Sequence, residues 1–243
     1  MIELLGVGLP RAGGGWLLHR VCATLEAGEL TAVVSGNVEE RRALLDAIVG
    51  RRVPEEGRVW VNRVPVMTGA AGRVRLLCGE VDPGTVLVER RSLFWNALAP
   101  VSGPRALGRL LRLPRWRERE AVLAALDRVG LRGRADDPVS ALSAYDRVRL
   151  LIARALARRP RNLIVRDPDT AVGPGDVGGI LALLRLLAHT DRLAVVVSLA
   201  DREAARPIAD RLLVLREGLL VFHGRAVALD EVPARWRVGA LTR

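Results

Sequence analysis

The segment 31–50 constrains the fold more than any other part of the chain. Residues 31–34 are apolar or β-branched and predict a buried strand, and a short turn beginning at Ser35 follows them. From about residue 40 to Gly50 the apolar residues recur at helical spacing. A strand, a tight loop and a helix in this order form the layout in which a loop cradles the phosphates of a nucleotide. The segment therefore predicts an α/β fold with a phosphate-loop scaffold at its centre.

The loop itself lacks the residues that such a scaffold normally carries. Phosphate binding uses glycines, so that backbone N–H groups can close on the anion, a lysine, and a Ser or Thr hydroxyl for Mg²⁺. Here one glycine is present, and two glutamates lie where the helix is expected to begin. We hypothesise that Glu39 and Glu40 cap this helix in place of a phosphate. The degenerate loop consists of Ser35, Gly36, Asn37, Val38, Glu39, Glu40, Arg41, Arg42 and Ala43.

Composition limits the class of protein. The chain has 243 residues, half of them apolar, which is enough for one sizeable core. Its two cysteines, Cys22 and Cys78, lie in apolar surroundings and predict buried thiols in a reducing compartment, with no disulfide framework. The N-terminal residues do not resemble a signal peptide, and no run of about 18 apolar residues predicts a membrane span.

The basic charge has two interpretations. The net charge is +11, and every basic residue apart from histidine is arginine, since the chain contains neither lysine nor glutamine. A compositional bias of the source genome explains this absence, whereas a functional interpretation is a surface for nucleic acid or an anionic membrane. Aromatic residues make up only 3% of the chain, and the arginines are spread along it. Nucleic acid is therefore not an expected partner.

Strand and helix patterns alternate along the rest of the chain, which predicts a parallel sheet with helices on its faces. Between about 90 and 150 helical periodicity and arginines dominate, and this stretch is interpreted as a helical insert. Residues 1–30 are expected to form short strands around a glycine-rich turn at 12–15. The other expected strands are 58–62, 74–78, 163–165, 193–199 and a hairpin of 211–215 with 219–222. The expected helices are 105–113, 117–129, 144–158, 176–189 and 201–206.

Several strings resemble the ATP-binding subunits of ABC transporters, and most closely those of the phosphonate-import type. The best matches are Leu142-Ser143 with the segment 150–157, the segment 209–218, and 87–90 with 92–98. The resemblance implies a P-loop NTPase-like (RecA-like) α/β core with a parallel sheet, an N-terminal antiparallel β subdomain and an inserted helical subdomain. It implies one domain over 1–243, with a core at about 1–89 and 157–230 and the insert at about 90–156.

The same resemblance places the family's reactive groups on residues of other types. Its phosphate-loop lysine falls on Arg41 and its Mg²⁺-binding hydroxyl on Arg42, while its inner glycines fall on Val38 and Glu40. Asp167 matches the Mg²⁺-associated aspartate and is a metal ligand only if Mg²⁺–nucleotide binds. The catalytic glutamate falls on Pro168, which has no carboxylate and cannot act as a base. Asp169 is the nearest acid that remains, and the switch histidine falls on Ala200.

The remaining motifs differ as well. The family's coupling glutamine falls in a region occupied by Cys78, Gly79 and Glu80. Its adenine-stacking aromatic falls near Arg11, although Trp16 is close enough to leave this open. The loop that completes a partner's site reads Leu-Ser-Gly-Gly-Gln in the family. Here the degenerate signature loop consists of Leu142, Ser143, Ala144, Tyr145 and Asp146.

Three functional interpretations follow. In the first, the chain is a catalytically inactive structural or regulatory subunit of a phosphonate-type ABC transporter, because phosphoryl transfer depends on the groups that are missing. Its expected partners are an active ATPase subunit and membrane permease subunits, with no cofactor and a cytoplasmic location at the inner face of the membrane. The second is a repurposed binding protein whose arginine-rich surface binds an acidic protein, nucleic acid or membrane. The third is a residual ATPase that binds ATP and Mg²⁺.

Overall fold

The computed structural model describes residues 1–98 and 115–227. Strand formation follows the β-branched and apolar runs of the sequence, as in 30–34, where five consecutive side chains are buried. The described strands are β1 (Ile2–Pro10), β2 (Trp16–Leu25), β3 (Leu30–Val34), β4 (Glu56–Val61), β5 (Val64–Pro65), β6 (Cys78–Val81), β7 (Asn162–Val165), β8 (Ala194–Leu199), β9 (Arg211–Arg216) and β10 (Leu219–Arg225).

The strands form two sheets. The smaller sheet is antiparallel and has the order β2-β1-β4-β5, whereas the larger has the order β10-β9-β3-β8-β7-β6. In the larger sheet β6, β7, β8, β3 and β9 run parallel, and only β10 is antiparallel to its neighbour. The predicted α/β fold with a parallel core sheet and an N-terminal antiparallel subdomain is thus confirmed.

The described helices lie mainly on the faces of the large sheet. They are α1 (Val38–Ile48), α2 (Ala71–Leu77), α3 (Leu93–Leu98), α4 (Trp116–Arg128), α5 (Ala144–Leu156), α6 (Pro174–Asp191) and α7 (Arg202–Ala205). Single 3₁₀ turns lie at Arg132–Arg134, Val139–Ala141 and Pro168–Thr170. In the described ranges, no helix combines the length and the apolar character needed to cross a bilayer.

The sheet separates two apolar cores because side chains of a strand alternate between its faces. Ala32 and Val34 of β3 pack with the helices α3 to α6 on one face. Val33 packs on the other face, with α1 and the small antiparallel sheet. β3 therefore lies at the centre of both cores, and the loop that follows it is held from both sides.

Of the expectations about local structure, one needs correction and one stays open. The strand expected at 74–78 is wrong, because 71–77 is helical and the strand begins only at Cys78. Val74 is buried while Arg73, Arg75 and Leu76 are exposed. One buried residue in so short a segment does not distinguish the 3.6-residue period of a helix from the two-residue period of a strand. The helix expected at 105–113 lies outside the described residues.

The expected burial of both thiols is correct for Cys78 and wrong for Cys22, which is exposed. Cys22 lies on β2 where the pairing with β1 is irregular, and its Sγ accepts a hydrogen bond from the Gly6 N–H at 3.1 Å. The domain boundaries inferred from the resemblance remain a prediction.

Candidate functional site

The candidate site lies where the carboxyl ends of β3, β7 and β8 meet. β8 pairs with both of the others, so Ser35 after β3 and Asp167 after β7 flank Ser198 of β8. In open parallel sheets this edge is where ligands bind. The structure therefore brings together two of the segments that the sequence singled out.

Helix α1 begins at Val38, two residues before the expected start, and Asn37 caps it. The Asn37 side chain accepts a hydrogen bond from the Glu39 N–H at 2.9 Å, and the Asn37 N–H donates to Ser35 Oγ at 3.0 Å. An asparagine side chain is among the preferred caps. The hypothesis that Glu39 and Glu40 cap this helix is wrong. Asn37 is the N-cap, and the Glu40 carboxylate accepts hydrogen bonds from Ser35 and Gly218.

Glu40 turns into the protein and is only 1% exposed. Its Oε2 accepts a hydrogen bond from Ser35 Oγ at 2.7 Å, and its Oε1 accepts one from the Gly218 N–H at 2.9 Å. Gly218, in the β9–β10 turn, has φ +79°, and a Cβ there would lie 2.8 Å from the carbonyl oxygen of Leu17. Glu40 thus connects the loop and α1 to a hairpin turn that only glycine fits.

Arg41 is 4% exposed and pairs with Asp167, which is 6% exposed. The Arg41 Nε lies 2.7 Å from Asp167 Oδ1, and its NH1 donates to the Ser35 carbonyl oxygen at 2.5 Å. Ser198 Oγ donates to the same Asp167 oxygen at 2.8 Å and accepts the Asp167 N–H at 2.9 Å. Arg41 and Asp167, which the resemblance aligns with the family's lysine and Mg²⁺-associated aspartate, therefore pair with each other inside the protein.

The other loop residues face outward or into the core. Gly36, Val38 and Arg42 are exposed, so the Arg42 side chain does not join the Arg41–Asp167 pair. Ala43 is 2% exposed and packs in the core beneath the small sheet. Of the nine residues of the predicted degenerate loop, the buried polar ones are Ser35, Glu40 and Arg41.

The segment after Asp167 forms a 3₁₀ turn. Pro168 opens this turn and is buried. Asp169 Oδ2 accepts a long hydrogen bond, 3.4 Å, from the Ala200 N–H, while its Oδ1 is buried without a hydrogen-bond partner in the described part of the chain. The acid nearest to the glutamate position thus faces the backbone at the switch-histidine position.

A second ionic network lies beside the first. Arg166 is buried, and its NH2 lies 2.8 Å from Asp46 Oδ1 and 3.4 Å from Glu80 Oε2. Glu80 also pairs with Arg51, at 2.9 Å. Burial, helped by the negative charge of Glu80, raises the pKa of the nearby Cys78 thiol to about 12. The region where the family's glutamine was expected is therefore part of a fixed ion network beside an un-ionised thiol.

A model of the ABC transporter family matches residues 18–170. The chain belongs to the ABC transporter family. It is 31% identical over 243 residues to the phosphonates import ATP-binding protein PhnC 2 of Cupriavidus metallidurans, covering 97% of this chain and 85% of that protein. It is 34% identical over 240 residues to PhnC 1 of Natronomonas pharaonis, covering 95% and 96%. The resemblance to phosphonate-import ATP-binding subunits is thus confirmed.

Solved ABC cassettes share the fold of this ABC-type chain. The ADP conformation of MJ1267, an ATP-binding cassette of an ABC transporter, matches with a TM-score of 0.84 at 18% identity, covering 96% of this chain and 95% of that one. The cbiO1 protein of Clostridium perfringens matches with a TM-score of 0.82 at 22% identity, covering 95% and 90%. Both likenesses concern the fold alone.

The signature loop of this ABC-type chain opens α5. Ser143 is its N-cap, with Oγ accepting the Asp146 N–H at 3.1 Å, and Asp146 pairs with Arg134 and Arg149. The Tyr145 ring lies against α6, so that a Cβ on Gly179 would be 2.9 Å from the Tyr145 hydroxyl. Leu142 is buried and Ala144 is exposed. Four of the five side chains are thus held by contacts within this chain.

The two candidates for an adenine-stacking residue do not form an aromatic platform. Arg11, in the β1–β2 turn, is exposed. The Trp16 ring stacks on His19 with centroids 5.2 Å apart, and a Cβ on Gly8 would lie 2.9 Å from it. Trp16 is therefore occupied by contacts within the small sheet.

Sequence reasoning missed four participants, which are Glu40 as a buried acceptor, Gly218, Ser198 and Arg166. The signal for Arg166 was its position directly after the apolar run 163–165. A charged residue at the end of a buried strand is expected to be buried too, and a buried charge needs a partner. Nothing in the sequence pointed to Gly218, whose role depends on a hairpin about 180 residues from the loop.

Proposed function

We propose that this chain is a catalytically inactive structural or regulatory subunit of a phosphonate-type ABC transporter. The observation that carries the proposal is the buried Arg41–Asp167 pair, with 2.7 Å between Nε and Oδ1. For a Mg²⁺–triphosphate to enter, this buried pair would have to separate, and the ligand would have to replace both its charge pairing and its hydrogen bonds.

The surrounding residues support the same conclusion. A metal–triphosphate site needs a hydroxyl for Mg²⁺ and glycines that let the backbone approach the phosphates. Arg42 has no hydroxyl and points outward, and the Glu40 carboxylate occupies buried space beside Ser35. We infer that the residues present do not fit a Mg²⁺–ATP complex, so no cofactor is expected.

The absence of a general base adds a second reason. Pro168 carries no carboxylate, and Ala200 carries no imidazole. Asp169 is the remaining acid, but it faces the Ala200 N–H across the turn. Because phosphoryl transfer depends on positioned charges, we expect no hydrolysis from this arrangement.

The expected partners are an active ATPase subunit and membrane permease subunits, so the chain would lie at the cytoplasmic face of the membrane. The scaffold is suited to this role because the signature loop leads directly into α5 and its Ser143 caps that helix. A binding role through surface arginines is the competing function, and it is favoured by the net charge of +11.

A calorimetric titration with ATP and Mg²⁺, together with a phosphate-release assay, tests the inactivity. We expect neither Mg²⁺-dependent heat nor hydrolysis, with the PhnC 2 protein of Cupriavidus metallidurans as the positive control for ATP binding. Micromolar, Mg²⁺-dependent affinity would overturn the proposal.

Co-expression with the transporter's permease and second ATPase subunit tests the partners. We expect a complex that survives about 0.3 M salt, since the expected interface is not purely electrostatic. Failure to form that complex, combined with salt-sensitive binding to an anionic surface, would favour the competing function.

A further inference from the structure

We propose that a cleft between α4 and the amino-terminal ends of β7 and β8 binds an aliphatic carboxylate, that is, one carboxylate group on an alkyl chain. This basal cleft is formed by one side of α4 over 121–128, by the segment 156–160 and by the segment 190–193. Its volume is about 530 Å³, which is within the range of small-molecule sites.

The basal cleft lies at the edge of the large sheet opposite to the candidate site. Pro160, before β7, and Leu193, before β8, line the cleft, whereas Asp167 follows β7. At about 3.3 Å per residue along β7 and its flanking residues, Pro160 and Asp167 lie on the order of 20 Å apart. A ligand in the basal cleft therefore does not contact the Arg41–Asp167 pair, and its binding does not require the loop to open.

Apolar side chains form the floor of the basal cleft. Residues 121, 124 and 125 are alanines, and they lie on one side of α4 because they are spaced by three and four. Leu156, at the end of α5, and Leu193 are each 6% exposed and belong to the core on that face of the sheet. No aromatic side chain of the described residues lines the cleft. The floor therefore suits an alkyl chain and offers no ring on which an aromatic ligand could stack.

One positive charge of the basal cleft has no partner. Arg128 of α4 pairs with Asp191 at the end of α6, although the two residues are 63 positions apart in the sequence. Arg159 also lines the cleft, is exposed, and makes no ion pair with any residue that the structure describes. Among the described lining residues Asp191 is the one acid, so two guanidinium groups face one carboxylate. The surplus of about one positive charge favours a monoanion.

These charges indicate a carboxylate as the anionic group of the ligand. A guanidinium group presents two parallel N–H donors that match the two oxygens of one carboxylate. A phosphate monoester carries a charge of about −1.5 to −2 at pH 7, which exceeds the surplus charge of the cleft. The Thr190 hydroxyl already donates to the Leu186 carbonyl oxygen at 2.8 Å, so it is not a donor for the anion. Arg159 is therefore the residue expected to hold the carboxylate.

Calorimetric titration of the full-length chain with sodium octanoate, in a buffer without Mg²⁺ or nucleotide, tests this inference. We expect saturable binding at one site. Octanol and acetate should each bind about tenfold more weakly or worse, because octanol lacks the charge and acetate lacks the alkyl chain.

Substitution of Arg159 tests the anion contact. Arg159→Gln should weaken octanoate binding about tenfold, because a hydrogen-bonded charge pair is lost. Arg158→Gln is the matched control, since Arg158 is the exposed neighbour, does not line the cleft, and its loss changes the net charge equally. Equal affinity in the two variants would overturn the site, as would the absence of saturable binding.

A second variant tests the position of the alkyl chain. Ala124 is exposed, so Ala124→Phe adds a ring to the cleft without enlarging a side chain of the core, and we expect a loss of affinity of more than about tenfold. Circular dichroism and the melting temperature of each variant establish that it is folded. Unchanged affinity in Ala124→Phe would place the octanoate elsewhere and overturn the inference.

Two further ligands test the class of anion and separate this inference from the proposed function. Octyl phosphate that binds more than about tenfold tighter than octanoate would overturn the assignment to a carboxylate, and octanol that binds as tightly as octanoate would overturn anion recognition. Mg²⁺-dependent ATP binding would overturn the proposed function but not the basal cleft, because the Arg41–Asp167 pair lies at the opposite edge of the sheet. Octanoate binding by a chain that binds no ATP supports both proposals.

Discussion

At the scale of single residues, the site is defined by buried polar groups that bond to one another. The Glu40 carboxylate accepts hydrogen bonds from Ser35 Oγ and the Gly218 N–H. The Arg41 guanidinium donates to Asp167 and to the Ser35 carbonyl oxygen. A buried charge without a partner is costly, so each of these residues fixes its neighbour. The loop is consequently a connected network, in which a change at one residue is felt at the others.

Removing one member of the buried pair is expected to destabilise the protein strongly. Asp167→Ala leaves the Arg41 guanidinium buried, and we expect the free energy of unfolding to fall by about 3–5 kcal/mol. The double variant Arg41→Met/Asp167→Leu removes both charges and should lose less than about 1 kcal/mol. Urea unfolding followed by circular dichroism measures both values. Equal losses in the single and double variants would contradict a buried pair.

His223 is expected to make stability depend on pH. Burial lowers the pKa of His223, and the positive charge of Arg211 lowers it further, against a hydrogen bond to the Thr24 backbone that raises it. Because the folded pKa lies below the ordinary value of about 6.5, the unfolded chain takes up this proton first as the pH falls. Stability from this group is therefore complete above about pH 7 and decreases as the pH falls through about 6.5 toward the folded pKa.

Melting temperatures of the wild type and of His223→Gln, measured from about pH 7.5 to about pH 5.5, test the pH dependence. We expect the melting temperature of the wild type to decrease more over this interval than that of the variant. Parallel curves for the two proteins would show that His223 is not responsible.

At the scale of elements, the start of α1 and the nature of 71–77 show where sequence patterns are ambiguous. The sequence places α1 correctly but not its first residue, because Asn37, Glu39 and Glu40 are all plausible at a helix start. The segment 71–77 has a single buried apolar residue, Val74, so its sequence pattern fits a strand as well as a helix. In both cases the contacts with distant elements decide.

The identity of the cap at α1 is testable by paired substitutions. Asn37→Ala should lower the free energy of unfolding by about 1 kcal/mol, because it removes the acceptor of the Glu39 N–H. Glu39→Ala should cost less, about 0.5 kcal/mol, since an exposed acid in the first turn contributes only through the helix dipole. Urea unfolding of the two variants measures the difference. A larger loss in Glu39→Ala would restore the glutamate cap.

At the scale of the whole molecule, one sheet joins two cores. Val196 and Val197 are consecutive residues of β8, both fully buried, and they point to opposite cores. A strand shared in this way transmits the loss of packing on one face to the other. The described part of the chain is therefore expected to unfold as one unit around β3 and β8.

Single substitutions on the two faces of β8 test this cooperativity. Val196→Ala and Val197→Ala should each cost about 2 kcal/mol and shift the same single transition, seen alike by fluorescence and circular dichroism. Val86→Ala is the control, because that side chain is 86% exposed and should change little. Two separate transitions in either core variant would mean that the cores unfold independently.

The sequence by itself determined the architecture and the residue types at the positions that the family resemblance singles out. The order of strands and helices, the parallel sheet and the residue types at Arg41, Arg42, Pro168 and Ala200 were all readable from the chain, because periodicity and side-chain chemistry are local properties. The strand predicted at 74–78 and the cap assigned to Glu39 and Glu40 were both wrong, and they show the limit of sequence patterns.

Only the tertiary structure decided which partners the residues at those positions have. The partners of Arg41 and Glu40 are Asp167 and Gly218, which are 126 and 178 residues away along the chain. Such pairs arise because the sheet brings distant strand ends together, and a buried charge accepts whichever partner the fold places beside it.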